Sequence, residues 1–269
     1  MIDLHVHSTA SDGKDTPDQL IYKAKERGLT AISLTDHDSI QGLTLAESVA
    51  QSVSLLFIPG IEITTDYLST ELHILGYYVD YQNPKLVQAC QKIQAGRQER
   101  AREILSRLSK YGYNLSWEEV VDSSHDFVGR SHIVDKLVDK GLVTPRNRDA
   151  FFDLYLSKTG RAYVPHYYIT PAKAIGLIRQ SGGVPVLAHP GRMRGPWDLA
   201  VLVAMGIAGL EVWYPLHTKK EVTFYLEQAR HFKLISTGGT DYHGRGQQLL
   251  GCLGVPEETI ERLQEAAAN

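Results

Sequence analysis

The stretch IDLHVHS, residues 2–8, decides how the rest of the chain is read. Apolar and polar side chains alternate in it, and it ends on a serine, the pattern of a strand with a polar tip. Side chains two apart on a strand share a face. His5 and His7 are therefore expected to point the same way, into a core if Leu4 and Val6 pack outward on helices. Six more apolar runs have the same design: AISLTDH (31–37), SLLFIPGIEIT (54–64), LHILGYYV (72–79), VPVLAHP (184–190), GLEVWY (209–214) and LISTGGTDYH (234–243).

Helical patterns separate most of these runs. TPDQLIYKAKERG opens with Thr16 as N-cap and Pro17 in the first turn, and stops at Gly28. Thr170, Pro171 and Gly182 repeat the device in TPAKAIGLIRQSGG. The segments starting at Thr218 and Pro256 are further amphipathic candidates. Strands alternating with helices imply parallel pairing and right-handed crossovers. Seven strands in this pattern point to a barrel-like α/β fold rather than an open sheet, with a helical insertion. The barrel is expected over 1–82 and 164–269. Residues 83–163 show helical patterns only and are expected to form a cap beside the site.

With 269 residues, 43% of them hydrophobic, the chain can bury a sizeable core. A net charge of −3 excludes a general polyanion-coating protein but leaves room for a local basic site. Two cysteines, Cys90 and Cys252, are too few for a disulfide framework or a cysteine-based zinc site. No apolar run has bilayer length, and no leader pattern precedes the first strand. The expectation is a cytoplasmic protein with no membrane association and no obligate protein partner.

Histidine is the unusual residue, with eleven copies, several beside acids. His7, Asp36, His37, Glu62, His189, Asp241 and His243 fall at or near strand ends, where barrels of this kind gather functional groups. Charged groups are rarely buried unless paired or bound to metal. Glu62 and Asp241 sit in apolar surroundings with no arginine nearby in sequence. A cluster of cations would explain these residues together, whereas hydrogen-bonded core histidines would not all collect at one end.

HVHSTASDG (5–13), SLTDHD (33–38), GIEI (60–63), LHILGY (72–77), LAHPGR (187–192) and GTDYHG (239–244) resemble the PHP superfamily, named for polymerase and histidinol phosphatase domains. The resemblance implies an α/β fold, a distorted seven-stranded (β/α)7 TIM-like barrel with a helical insertion, and a trinuclear centre of divalent cations, with Mn2+ ahead of Fe2+ or Zn2+ for such mixed donors. Carried over residue by residue, the first site would use His5, His7, Glu62 and Asp241. The second would use Asp12, His37 and His243, and the third Glu62, His73 and His189, with Glu62 bridging. Aspartate at position 12, where many members have histidine, resembles the subgroup that acts on nucleotides.

The insertion is similar to that of nucleoside 3′,5′-bisphosphate phosphatases and related 5′→3′ exoribonucleases of the ribonuclease AM group. Their Gly-Arg-Pro-His pattern is GRSH (129–132) here, with Ser131 in place of proline. The implied activity is metal-dependent hydrolysis of nucleotide phosphate esters, with a nucleotide or short oligonucleotide as substrate. Arg130 is expected to clamp a phosphate, and His132 to donate to it or to protonate the leaving oxygen. Asp36 is expected to orient a neighbouring group or water, and Asp38 equally to cap the helix that follows. From Lys92 to Lys110, six cations face two acids, and Arg97 and Arg100 on one helix side could draw in a nucleotide. Glu211 has the reading of a structural hydrogen-bonding group, His217 that of a loop residue, and His125, His166 and His231 that of surface or packing residues. The alternatives are a histidinol-phosphate phosphatase and a non-catalytic metal-binding PHP module.

Overall fold

The computed structural model describes residues 1–121, 128–165, 169–245 and 249–268. His125 and His166 lie outside them. In chain order the elements are β1 (Ile2–Val6), α1 (Pro17–Glu26), β2 (Ala31–Leu34), α2 (Leu43–Ser52), β3 (Leu56–Tyr67) and β4 (Thr70–Tyr77). Then come α3 (Pro84–Ser109), α4 (Trp117–Val120), α5 (Arg130–Asp139) and α6 (Arg148–Phe151). The chain returns to the sheet with α7 (Pro171–Gln180), β5 (Val184–Leu187), α8 (Leu199–Met205), β6 (Gly209–Trp213), α9 (Lys219–His231), β7 (Ile235–Gly238) and α10 (Glu258–Ala267). Two compact units result: Met1–Cys90 with Tyr168–Asn269, and Gln91–Tyr167.

In the first unit the seven strands form one sheet in sequence order, nearly closed into a barrel. At the seam the amide of His7 donates to the carbonyl of Tyr242 at 2.8 Å. Asp3, fully buried, accepts from the amide and hydroxyl of Thr240 and from the amide of Gly251. Gly239 is required there: a Cβ on it would stand 2.3 Å from the amide nitrogen of His5.

Two pairings depart from the all-parallel expectation. β4 runs antiparallel to both β3 and β5. The cause is a two-residue hairpin at Leu68–Ser69, both with positive φ (50° and 66°). That is the conformation of a tight hairpin turn, here without the asparagine and glycine that usually announce one.

Apolar side chains from β1 to β5 and β7, among them Leu4, Leu75, Val186 and Ile235, share a core with Val255 and Leu263. Leu4 thus packs within this core rather than outward on helices. The pairing of β1 with β2 slips between Asp3 and Val6, and such a bulge re-aims the residues that follow. This is how Leu4 and His5, neighbours in sequence, both serve inward-facing roles. β6 has a like slip between Glu211 and Trp213.

The second unit has its own core, with Ile104, Leu108, Ile133, Leu137, Phe151 and Leu156 at its centre. A single wide π-type turn spans Phe152–Leu156. No helix among the described residues is long and apolar enough to cross a membrane.

Candidate metal centre

Every residue expected as a donor is contributed by a strand or by the loop just beyond one, and the strands bring all nine into one neighbourhood. His5, His7, Glu62 and Asp241 offer donor atoms within 4.8 Å of one another; so do His7, Asp12, His37 and His243, and His37, Glu62 and His73. His189 Nε2 lies 3.0 Å from Glu62 Oε1. Glu62, with no solvent exposure, touches five imidazoles: His5 and His7 at 3.2 Å, His37 and His189 at 3.0 Å, and His73 at 2.9 Å. His7 and His37 each belong to two groups, a finer sharing than the three-site division expected from the sequence.

The spacing suits cations. His5 Nε2 and His7 Nε2 stand 3.1 Å apart, and Asp241 Oδ1 is 3.4 Å from the first and 3.0 Å from the second. Donors around a four-coordinate ion with bonds of about 2.1 Å are separated by roughly 3.4 Å. His37 Nδ1 and Asp12 Oδ1 are buried near partners, yet neither aligns into a hydrogen bond with a described residue. Lone pairs converging on one point, rather than hydrogens aimed at oxygens, is what a shared cation requires.

The charge balance agrees. Burial would raise the carboxyl of Glu62, but His37, His5 and His73 hold it well below the usual range. Asp12 is lowered by His243 and His37, and Asp241 by His5 and His7, again against burial. Burial alone would lower His7, yet its hydrogen bonds to Asp241 and Glu62 push it up to about 10. His73, beside Glu62, also reaches about 10, while burial drives His37 down to about 3. Ionised carboxylates thus sit among imidazoles of which His5, His7 and His73 hold protons until something of like charge displaces them.

The surrounding residues fix the donors in place. Glu211, fully buried, is 2.9 Å from His5 Nδ1, so an N–H there leaves Nε2 facing the cluster. Its other oxygen accepts from the amide of His189 at 2.7 Å. Sequence reading gave Glu211 too small a part, although a lone acid in an apolar strand is the same signal that marked Glu62. Tyr214, missed altogether, donates to Asp241 Oδ2 at 2.9 Å and leaves Oδ1 to the histidines. Burial and the Asp241 carboxylate push its phenol well up, so it stays a donor. His189 and Asp241 both have positive φ (26° and 51°), strain of the kind found where function dictates conformation.

Asp36 acts on the turn that follows β1. Its carboxylate accepts from the amide and hydroxyl of Ser8 and from the hydroxyl of Ser11, at 2.5–2.7 Å. It therefore braces the turn that carries Asp12, and its charge also interacts with His7. Asp38 does not cap α2, whose N-cap is Gly42; it accepts from the amide of Thr64. His217 ties its loop together, through Val212 O and the amide of Gly191.

In the second unit, Arg130 Nη1 donates to Leu156 O at 3.1 Å, and its guanidinium lies 5.3 Å from the Phe152 ring centre. His132 Nδ1 accepts from the amide of Gly129 at 3.3 Å. Arg97 is half-buried. Arg100 is 8% exposed, and its Nε donates to Val164 O at 2.8 Å.

A PHP domain model matches residues 3–165. The chain belongs to the PHP family. A 5′-3′ exoribonuclease of Haemophilus influenzae is 34% identical over 246 residues, 90% of this chain and 89% of that one. A phosphoribosyl 1,2-cyclic phosphate 1,2-diphosphodiesterase of Eggerthella lenta is 31% identical, covering 90% and 94%. A 3′,5′-nucleoside bisphosphate phosphatase of Chromobacterium violaceum is also 31% identical, covering 91% and 88%. A solved Bifidobacterium adolescentis structure, assigned as a metal-dependent phosphoesterase, superimposes with a TM-score of 0.90 at 28% identity, over 98% and 96% of the two chains. This PHP protein is accordingly a metal-dependent hydrolase of phosphate esters, with His, Asp and Glu clusters able to bind metal.

Proposed function

We propose that this PHP protein hydrolyses the phosphate ester at a nucleotide 3′ oxygen. Its substrates are nucleoside 3′,5′-bisphosphates, short RNA degraded from the 5′ end, or both. These are one chemistry at phosphorus and differ only in what is attached to the 3′ oxygen. We further propose three divalent cations, Mn2+ foremost, held by His5, His7, Asp12, His37, Glu62, His73, His189, Asp241 and His243. When bound, such cations supply Lewis acidity toward phosphoryl oxygens and activate water near neutral pH.

The chain's own residues have five parts in this reading. Glu62 bridges, its two oxygens offered to different groups of imidazoles. Glu211 and Tyr214 orient His5 and Asp241. Arg130 pairs its planar guanidinium with two oxygens of the substrate phosphate. His132 donates to that phosphate or protonates the departing oxygen, while Arg97 adds positive charge for the approaching anion. The helical insertion, 83–163, is in this reading the part that recognises substrate.

The observation that carries the proposal is the sequence GRSH at the start of α5 together with Asp12 among the donors. The curated relatives named for RNA and for nucleoside bisphosphates support it. A substrate panel with Mn2+ tests it: adenosine 3′,5′-bisphosphate, a 5′-phosphorylated oligoribonucleotide, a ribose cyclic phosphate and histidinol phosphate. The first two are expected to give the highest kcat/KM. Preference for either of the others refutes the assignment while leaving the phosphoesterase class intact.

A further inference from the structure

A cavity of about 550 Å³ lies on the outer face of the β6–β7 pair, between α9 and α10. It is separate from the donor cluster, because the two strands turn opposite faces to the two places. Glu211 pairs with Thr237 and faces inward. Ser236 pairs with Leu210, one step out of phase, and lines the cavity. The slip after Glu211 turns Trp213 to that outer side as well.

The lining combines one flat aromatic surface with concentrated positive charge. Trp213, half-buried, contributes its indole, and Arg230, Lys233 and Arg262 oppose Glu258 alone. Arg262 is anchored by a bond from Nη2 to Leu234 O at 3.3 Å, which leaves its remaining N–H groups for a ligand. A second cavity of 510 Å³, between β5 and the end of α10, offers Arg179 as its one cation and no aromatic ring. Volume alone therefore does not distinguish the first cavity; its chemistry does.

Lys233 adds a conformational argument. It terminates α9 with φ of 56°, the left-handed position that glycine normally takes. Glycine stands there after α1 (Gly28) and α7 (Gly182), and Ser54, with φ of 53°, after α2. A side chain at this place has a steric cost that glycine would avoid. Lysine at this place lines the cavity together with Arg230, one turn earlier, and Arg262, where its ammonium group can meet a ligand.

We infer that this groove is a second binding site, for a nucleoside monophosphate: the base on Trp213 and the phosphate among Arg230, Lys233 and Arg262. Stacking on an aromatic face serves any base, and paired guanidinium groups suit a phosphate dianion. The occupant would press on the strand that holds Glu211. Trp213 also accepts from the amide of Gly239 at 3.0 Å, two residues before Asp241.

The test uses the full chain treated with a chelator, so that the primary site lacks its cations, and AMP as the probe. Binding is followed by tryptophan fluorescence and by calorimetry. Wild type is expected to bind one AMP saturably. A Lys233→Gly, Arg230→Gln double variant is expected to bind it at least tenfold more weakly, with no fall in Tm because glycine relaxes the backbone at position 233. Inorganic phosphate is expected to bind wild type at least tenfold more weakly than AMP. Equal AMP affinity in the two proteins, or no saturable binding by wild type, overturns the site. Equal affinity for phosphate and AMP overturns the nucleotide assignment.

Discussion

The strand ends of the first unit and the helices of the second are buried for opposite reasons. The helical unit closes on Ile104, Leu108, Ile133 and Leu137, side chains that leave water at no electrostatic cost. The strand ends close on Glu62, His5 and His7, groups whose burial is costly unless something binds them. One region is explained by packing, the other by a ligand. It follows that damage to the first should appear as lost stability and damage to the second as lost metal and turnover.

The sharpest way to break this contrast is Asp241→Asn. It keeps shape and removes a charge that three imidazoles and Tyr214 share. Turnover is expected to fall on the order of 10²–10³-fold, by analogy with the loss of one electrostatic donor. Metal content should fall too, and the circular dichroism spectrum should not change. Full activity in this variant would end the metal reading. Glu211→Gln comes next, with a loss of roughly 10–100-fold in metal affinity or kcat, as expected for a group that orients a donor. Metal titration against kcat would show whether added metal restores rate.

Arg130→Ala asks whether the helical unit contributes to function. A charge-assisted bond is worth about 1.5–3 kcal/mol, or roughly 10–100-fold in kcat/KM. Metal content should not change. An unaltered kcat/KM would reduce Arg130 to its bond with Leu156 and its place over Phe152.

The smallest effect is in protons. In the metal-free protein His7 and His73 are raised from 6.5 to about 10, so both are charged at pH 7. Their stabilising contribution is full below 6.5 and is lost as pH rises through about 10. Metal requires neutral imidazoles, so binding at pH 7 should release protons, and apparent affinity should climb between pH 6.5 and 10. Calorimetry in buffers of different ionisation enthalpy counts the protons; zero release would contradict the charge assignment.

Much of this was legible from residue pattern. The spacing of His5 and His7, the isolated Glu62 and the polar tips of seven apolar runs are strong signals, because strand alternation is rigid and buried charge is rare. What stayed hidden depends on local geometry. Alternation alone set His5 opposite Leu4, and only the bulge in β1 reconciles the two. The Leu68–Ser69 turn lacks the usual turn residues, so the antiparallel β4 could not be read. Asp36 beside His37 looked functional by adjacency, yet strand neighbours face opposite ways, and its hydrogen bonds go to Ser8 and Ser11.

The buried Asp3 sets a schedule for synthesis. Two of its partners, Thr240 and Gly251, lie 237 and 248 residues further along the polypeptide. A nascent chain leaving the ribosome thus carries its first strand unpaired on one edge until nearly all later strands have emerged. The donor pocket cannot close on β1 before residues 240–251 have been made.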